Sequence, residues 1–193
     1  MKKKILVFAA VVLTAISFCN AQNKCITSLS YSPSTFVSTG EDFHSVSLDV
    51  SSINPIRGHE YFCFEPGFGI SGTFGKRFQG EYKSNLYFIS FKLPLQIGYK
   101  IRLSDKDFIY PHMGCYVRAN LFGHYSIDDS NIDAFSKSKV GDAALKYVQA
   151  GYVYGVKIVS DRFCLGVSYE RDVNNIAYNT KSASNKVSIG YMF

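Results

Sequence analysis

Lys186-Val-Ser-Ile-Gly-Tyr-Met-Phe193, the last eight residues, decide how the rest of the chain is read. Val187, Ile189, Tyr191 and Phe193 share one face of an extended segment, and Lys186, Ser188, Gly190 and Met192 share the other. Strict alternation is the period-two signature of a strand that is apolar on one side only. The last residues of soluble domains ordinarily fray. An amphipathic strand ending on an aromatic residue is expected instead where the final strand of an outer-membrane barrel closes against the first, and Val187, Ile189, Tyr191 and Phe193 are then an assembly signal.

The opposite end agrees with export. Lys2, Lys3 and Lys4 precede an apolar run, Ile5 to Phe18, that is too short to span a bilayer as a helix. With Cys19-Asn20-Ala21 after it, the segment has the layout of a secretory signal peptide cut after Ala21. Residues 1–21 are therefore expected to be removed, leaving one domain over 22–193. Lipidation of Cys19 is disfavoured by the bulky Phe18 before it. Losing three lysines and no acids lowers the formal charge from +6 to +3, so the basic balance implies no nucleic-acid partner.

Reading back from Phe193, alternating segments recur at about 185–193, 162–171, 145–159, 108–125, 85–101, 59–76, 43–53 and 24–37. Between Tyr87 and Ile101 every odd position is apolar or aromatic, whereas Ser90, Lys92, Gln96, Gly98 and Lys100 occupy even ones. Connections near 54–58, 103–106 and 160–161 are short, while 126–145 and 172–184 are long and polar. Short periplasmic turns and longer extracellular loops belong to an up-and-down barrel. The fold class expected is thus all-β: an eight-stranded antiparallel transmembrane β-barrel of the outer membrane. The glycine- and serine-rich face suits a crowded interior, and Phe, Leu and Ile suit hydrocarbon. Tyr87 and Tyr99 would stand roughly 30 Å apart in height at a tilt near 40°, close to the spacing of two aromatic girdles. Pro66, Pro94 and Pro111 are expected at bulges or strand ends, because each removes a ladder donor.

Several stretches resemble the PorT-like outer-membrane β-barrel family of Bacteroidota, a barrel of the OmpA/OmpX type. They are Phe64-Glu-Pro-Gly-Phe-Gly-Ile-Ser-Gly-Thr-Phe-Gly75, Leu86-Tyr-Phe-Ile-Ser-Phe-Lys-Leu-Pro-Leu-Gln-Ile-Gly-Tyr-Lys100, Tyr110-Pro-His-Met-Gly-Cys-Tyr116, Phe163-Cys-Leu-Gly-Val-Ser-Tyr-Glu170 and the closing Val187–Phe193. The resemblance implies an eight-stranded barrel and carries over no catalytic residue.

Candidate chemistry is sparse. Phe122, His124 and Ser126 match the Phe-x-His-x-Ser pattern of some lipid A deacylases, in which His activates Ser against an ester. Ile127 stands where Asn is usual, so a lipid A-modifying esterase is the alternative reading and no enzymatic activity is the main one. No cofactor or metal site is expected: Asp128, Asp129 and Asp133 lack the Gly and distal Glu of a calcium loop, and no cysteine pair has ligand spacing. Cys25, Cys63, Cys115 and Cys164 fall in strands that are not neighbours, and are expected to be free, buried thiols. By strand parity Asp49, Glu65, Lys92, Lys100, Arg118, Lys157 and Glu170 face the lumen, where isolated charge is expensive. Arg118 is expected to reach Glu65, Asp49 or both across a filled, non-conducting lumen. The partners expected are outer-membrane lipid and lipopolysaccharide, the barrel-assembly machinery at the C-terminal strand, and envelope proteins.

Overall fold

The computed structural model describes residues 25–193 apart from 38, 80, 81, 128, 129 and 178. The expected signal peptide, and with it the cleavage after Ala21, lies outside the described residues, as do Asp128 and Asp129. Eight long strands follow in order: β1 Cys25–Phe36, β2 Asp42–Ser52, β3 Phe62–Gln79, β4 Tyr82–Tyr99, β5 Asp107–Ile127, β6 Val148–Ser160, β7 Phe163–Asp172 and β8 Ser182–Met192. Each pairs antiparallel with its sequence neighbour, and β8 returns to β1 with Ile26 opposite Met192 and Tyr31 opposite Val187. The sheet is closed. Three short strands, Asn54–Pro55, Ile101–Arg102 and Ser130–Asp133, extend the ladders at the barrel mouths.

Closure leaves no strand edge, and this allows a sheet to sit in hydrocarbon with its backbone groups paired. The two faces divide as the alternation requires. Leu48, Leu95, Ile158, Val167 and Ile189 are exposed on the outside, whereas Ser30, Ser47, Ser90, Gln96 and His112 are buried inside. A soluble barrel would show the reverse. Aromatic side chains collect at both ends of the apolar band. Tyr61, Phe62 and Tyr99 pack together at the periplasmic end, and Tyr191 packs there with Phe163 and Phe193.

The strands depart from the sequence expectation in three places. β3 and β4 run past residues 76 and 85 and pair as far as Gln79 opposite Tyr82. Hydrophobic alternation stops where the membrane stops, but backbone pairing continues into water. Pro66, Pro94 and Pro111 lie inside ladders rather than at bulges: Pro94 pairs with Tyr116 and Pro111 with Val156. Pairing lapses on both sides of Pro66: between Pro66 opposite Leu95 and Gly69 opposite Lys92 on β4, and between Gly67 opposite Ser51 and Phe64 opposite Asn54 on the other side. The bulge sits instead at Leu121 on β5, between Asn120 opposite Ser90 and Phe122 opposite Ile89. It shifts the parity of β5 by one, turning Phe122, His124 and Ser126 outward and Tyr125 inward. The four cysteines fall on β1, β3, β5 and β7, every second strand, and form no disulfide with one another. Cys63 and Cys164 are buried, but Cys115 is exposed, a correction that follows from its odd, outward position on β5.

Candidate functional site

The lumen is built in layers. At the periplasmic end Ile26, Ile53, Cys63, Phe108, Tyr110 and Val159 form an apolar plug, with Met192 packed against it. At the extracellular end Phe36, Phe43, Leu86, Phe88, Tyr125 and Ile176 form a second plug. The long β5–β6 connection feeds this upper plug. It folds back as the hairpin strand Ser130–Asp133 and a single helical turn, Lys137–Val140, which brings Ala134 and Leu145 into the same cluster.

Between the plugs lies a belt of charge in which each cation meets an anion. Lys157 on β6 reaches Glu65 on β3 across the lumen. Lys92 on β4 holds both carboxylate oxygens of Glu170 on β7, at 2.7 and 2.9 Å. Lys186 on β8 donates to Asp49 on β2 at 2.7 Å and stands 4.0 Å from Glu170. Nearer the extracellular plug, Arg118 Nη2 and the Tyr116 hydroxyl donate to the two oxygens of Asp172, each at 2.6 Å. Serines complete the shell of Asp49, which accepts from Ser30 at 2.8 Å and Ser47 at 2.9 Å. Above Arg118, Asn120 donates to Gln149, and both amides donate to the Lys146 carbonyl.

Six of the seven sequence-predicted charges therefore lie in this belt, but the expected pairing of Arg118 with Glu65 or Asp49 is wrong. Arg118 takes Asp172, two strands away, and leaves Glu65 to Lys157 and Asp49 to Lys186. The apolar pattern puts Asp172 at the start of a loop, whereas β7 continues one inward position further. Lys186 faces the lumen as its parity required, although it was absent from the expected set. The seventh charge, Lys100, sits at the periplasmic mouth with its ammonium 4.3 Å from the centre of the Phe108 ring.

Two large rings fit only because glycine lies opposite. A Cβ on Gly98 would come within 2.4 Å of the Tyr110 ring, and one on Gly151 within 2.4 Å of the Tyr116 ring and hydroxyl. Gly151→Ala is thus expected to displace Tyr116 from Asp172 and cost about 1–3 kcal/mol of stability in urea unfolding. A loss near zero would mean that Tyr116 has room the packing does not show.

The esterase candidates lie elsewhere. Phe122, His124 and Ser126 are on the outer face, and the His124 ring stacks on Tyr87 with centroids 5.4 Å apart. Asp133 is the direct partner of His124 across the rim hairpin, but its Oδ1 accepts the Phe135 amide at 2.9 Å.

A closed, meandering, antiparallel sheet of eight strands, apolar outside and charged within, settles the architecture. The fold is that of the eight-stranded outer-membrane barrels. No family model matches the chain, and no curated protein matches it. Solved structures do. Neisserial surface protein A aligns with a TM-score of 0.52 at 13% identity, over 88% of this chain and 96% of that one. Ail, the attachment invasion locus protein of Yersinia pestis, in complex with the heparin analogue sucrose octasulfate, aligns at 0.50 and 12% identity, over 89% of this chain and 99% of that one. The outer membrane enzyme PagL aligns at 0.48 and 12%, over 83% and 97%. At such identities the likeness is one of fold alone.

Proposed function

We propose that this chain is an exported barrel of the outer membrane with a structural or interaction role, holding surface loops above a sealed lumen and catalysing no reaction. The observation that carries the reading is the sealed lumen itself. Four largely buried cations meet four largely buried anions across it, and an apolar plug closes each end. An eight-stranded barrel has an interior just wide enough for side chains to fill, so little free volume is left for ions. The loops remain as the accessible part. A place in an envelope complex belongs to this proposal, with the C-terminal strand offered to the barrel-assembly machinery. In a planar bilayer the purified barrel is expected to show no steady conductance, and stable single-channel steps without denaturant would overturn the sealed-lumen reading.

The esterase remains the second reading, favoured by one observation: Asp133 stands opposite His124 across the hairpin, where a third group would orient the imidazole. Fatty acid released from lipopolysaccharide by the wild type and not by Ser126→Ala would establish it. No release supports the non-enzymatic reading.

A further inference from the structure

We propose that the outer face of β6–β8, at its extracellular end, binds one molecule of lipopolysaccharide through a phosphate of its acylated sugar anchor. The proposal rests on the membrane placement above and holds whether or not the lumen conducts.

Register places three rows of side chains on this face. Val156, Val167 and Val187 stand opposite one another across β6, β7 and β8. One step toward the loops come Tyr154, Tyr169 and Asn185, and one step further Tyr152, Arg171 and Ala183. Lys181 continues the outward positions of β8, because Thr180 and Ser182 on either side of it are buried. The ladder holds it in place, since the Val37 amide donates to its carbonyl at 2.9 Å. Lys181 is thus the diagonal neighbour of Arg171, with Cα atoms about 7–8 Å apart. Chemistry passes from aliphatic to aromatic to cationic going up the face, as it does across a membrane interface.

Strand alternation separates Arg171 from the acids beside it in the chain. Glu170 and Asp172 flank it in sequence, but both point into the lumen, where Lys92 holds one and Arg118 and Tyr116 hold the other. Arg171 alone points out. Among the described residues, neither its guanidinium nor the Lys181 ammonium has an ion-pair or hydrogen-bond partner. Followed across β8 and β1, the row of Arg171 meets its first carboxylate at Asp42 on β2, whose Oδ1 accepts from Thr35 at 3.0 Å. In the other direction Tyr152 is followed by Cys115 and Leu95. Between Val148 and Phe193 the one residue outside the described set is Tyr178, which is uncharged, so the charge of this face is fully counted.

Two cations with no carboxylate beside them select an anion. A guanidinium takes phosphate through paired N–H donors, and the ammonium adds a second charge from the diagonal. Beneath them, the hydroxyls of Tyr152, Tyr154 and Tyr169 and the Asn185 amide make no hydrogen bond to the described residues. The rings are nonetheless set against one another, Tyr154 lying 5.3 Å from Tyr169 and 6.5 Å from Tyr152 between centroids. Sugar hydroxyls and amides meet such groups, and the valine row below takes acyl chains. Charge and hydrogen bonding point the same way. A diphosphorylated disaccharide anchor carries more negative charge and more polar groups than phosphatidylglycerol, and nothing on this face repels it. The loop end of the barrel is also the end that meets the outer leaflet, where the lipid is lipopolysaccharide.

The test is native mass spectrometry of the refolded barrel in detergent, with diphosphoryl lipid A as probe and phosphatidylglycerol as the competing phosphate lipid. One bound lipid A is expected, with an apparent affinity about tenfold above that for phosphatidylglycerol. Arg171→Gln and Lys181→Gln should each weaken lipid A about fivefold, and the two together at least about tenfold. Neither charged group holds the fold together, so these variants should keep the compact, heat-modifiable migration of the barrel. Lys137→Gln, on the helical turn of the β5–β6 connection, removes an equal charge elsewhere and should leave binding unchanged. Equal affinity for the two lipids, wild-type binding by the folded double variant, or an equal loss in Lys137→Gln overturns the proposal. A wild-type protein that does not fold as a heat-modifiable barrel would instead overturn the membrane reading beneath it.

Discussion

Replacing Asp172 by alanine is expected to lower the unfolding free energy by about 3–5 kcal/mol, the cost of stranding a buried charge. The Asp172 side chain is 0% exposed and that of Arg118 only 14%. Both carboxylate oxygens are used, one by Tyr116 and one by Arg118, so the truncation removes two short hydrogen bonds as well as the counter-ion. Arg118 keeps only that small exposure through which to rehydrate between the two plugs. The contrast is the rim pair of Arg102 and Glu60, 3.4 Å apart and more than half exposed on both sides, where Glu60→Ala should change stability by about 0–1 kcal/mol. Urea unfolding in lipid vesicles measures both. In a double-mutant cycle Arg118 and Asp172 should couple by about 0.5–3 kcal/mol. Arg118 and Glu65, which share no ion-pair partner, should give large and nearly additive losses. An Asp172→Ala barrel within about 1 kcal/mol of wild type would mean that water reaches Arg118 and the lumen is wet.

Deleting Tyr191-Met192-Phe193 is expected to reduce the folded, membrane-embedded protein at least about tenfold, because unpaired backbone groups in hydrocarbon cost several kcal/mol each. The three residues close the seam on both sides at the periplasmic end. Thr27 and Ile26 lose their ladder partners on β8, the Phe193 amide no longer donates to the Cys25 carbonyl at 2.9 Å, and the Met192 amide no longer donates to the Arg162 carbonyl at 2.7 Å. Tyr191 also carries the aromatic contacts of this corner, lying between Phe163 and Phe193 and accepting from Arg162 at 3.1 Å. The lower plug loses Met192 in addition. Heat-modifiable migration of the protein in membrane fractions reads the result directly. Truncated barrel at wild-type level would show that β8 and β1 close without these anchors.

Architecture was legible in the chain because each spanning strand must obey one simple constraint, apolar toward lipid and small or polar toward the lumen. That constraint repeats every second residue, so Tyr87 through Ile101 or Val187 through Phe193 can be assigned without knowing their neighbours. The same parity identified Asp49, Glu65, Lys92, Arg118, Lys157 and Glu170 as inward. It failed where strands leave the hydrocarbon. Beyond Lys76 and before Asn85 the pattern ends but the ladder does not, and Asp172 was missed for the same reason. It also could not anticipate the bulge at Leu121, opposite Ile89/Ser90, which turns His124 outward against Tyr87 and Ser126 outward with it, rather than into the lumen.

What the sequence by itself determined was the number of strands, their order, and which face of each meets lipid, since these follow from local alternation and from short and long connections. What only the tertiary structure decided was partnership across the lumen. Which cation meets which anion depends on the stagger accumulated around the closed ladder, which sets the relative height of strands that never touch. Lys92 and Glu170 are 78 residues apart in sequence, and Lys157 and Glu65 are 92 apart. Nothing in either segment alone encodes that they end at one level, so parity could place Arg118 inside the barrel but could not choose Asp172 over Glu65.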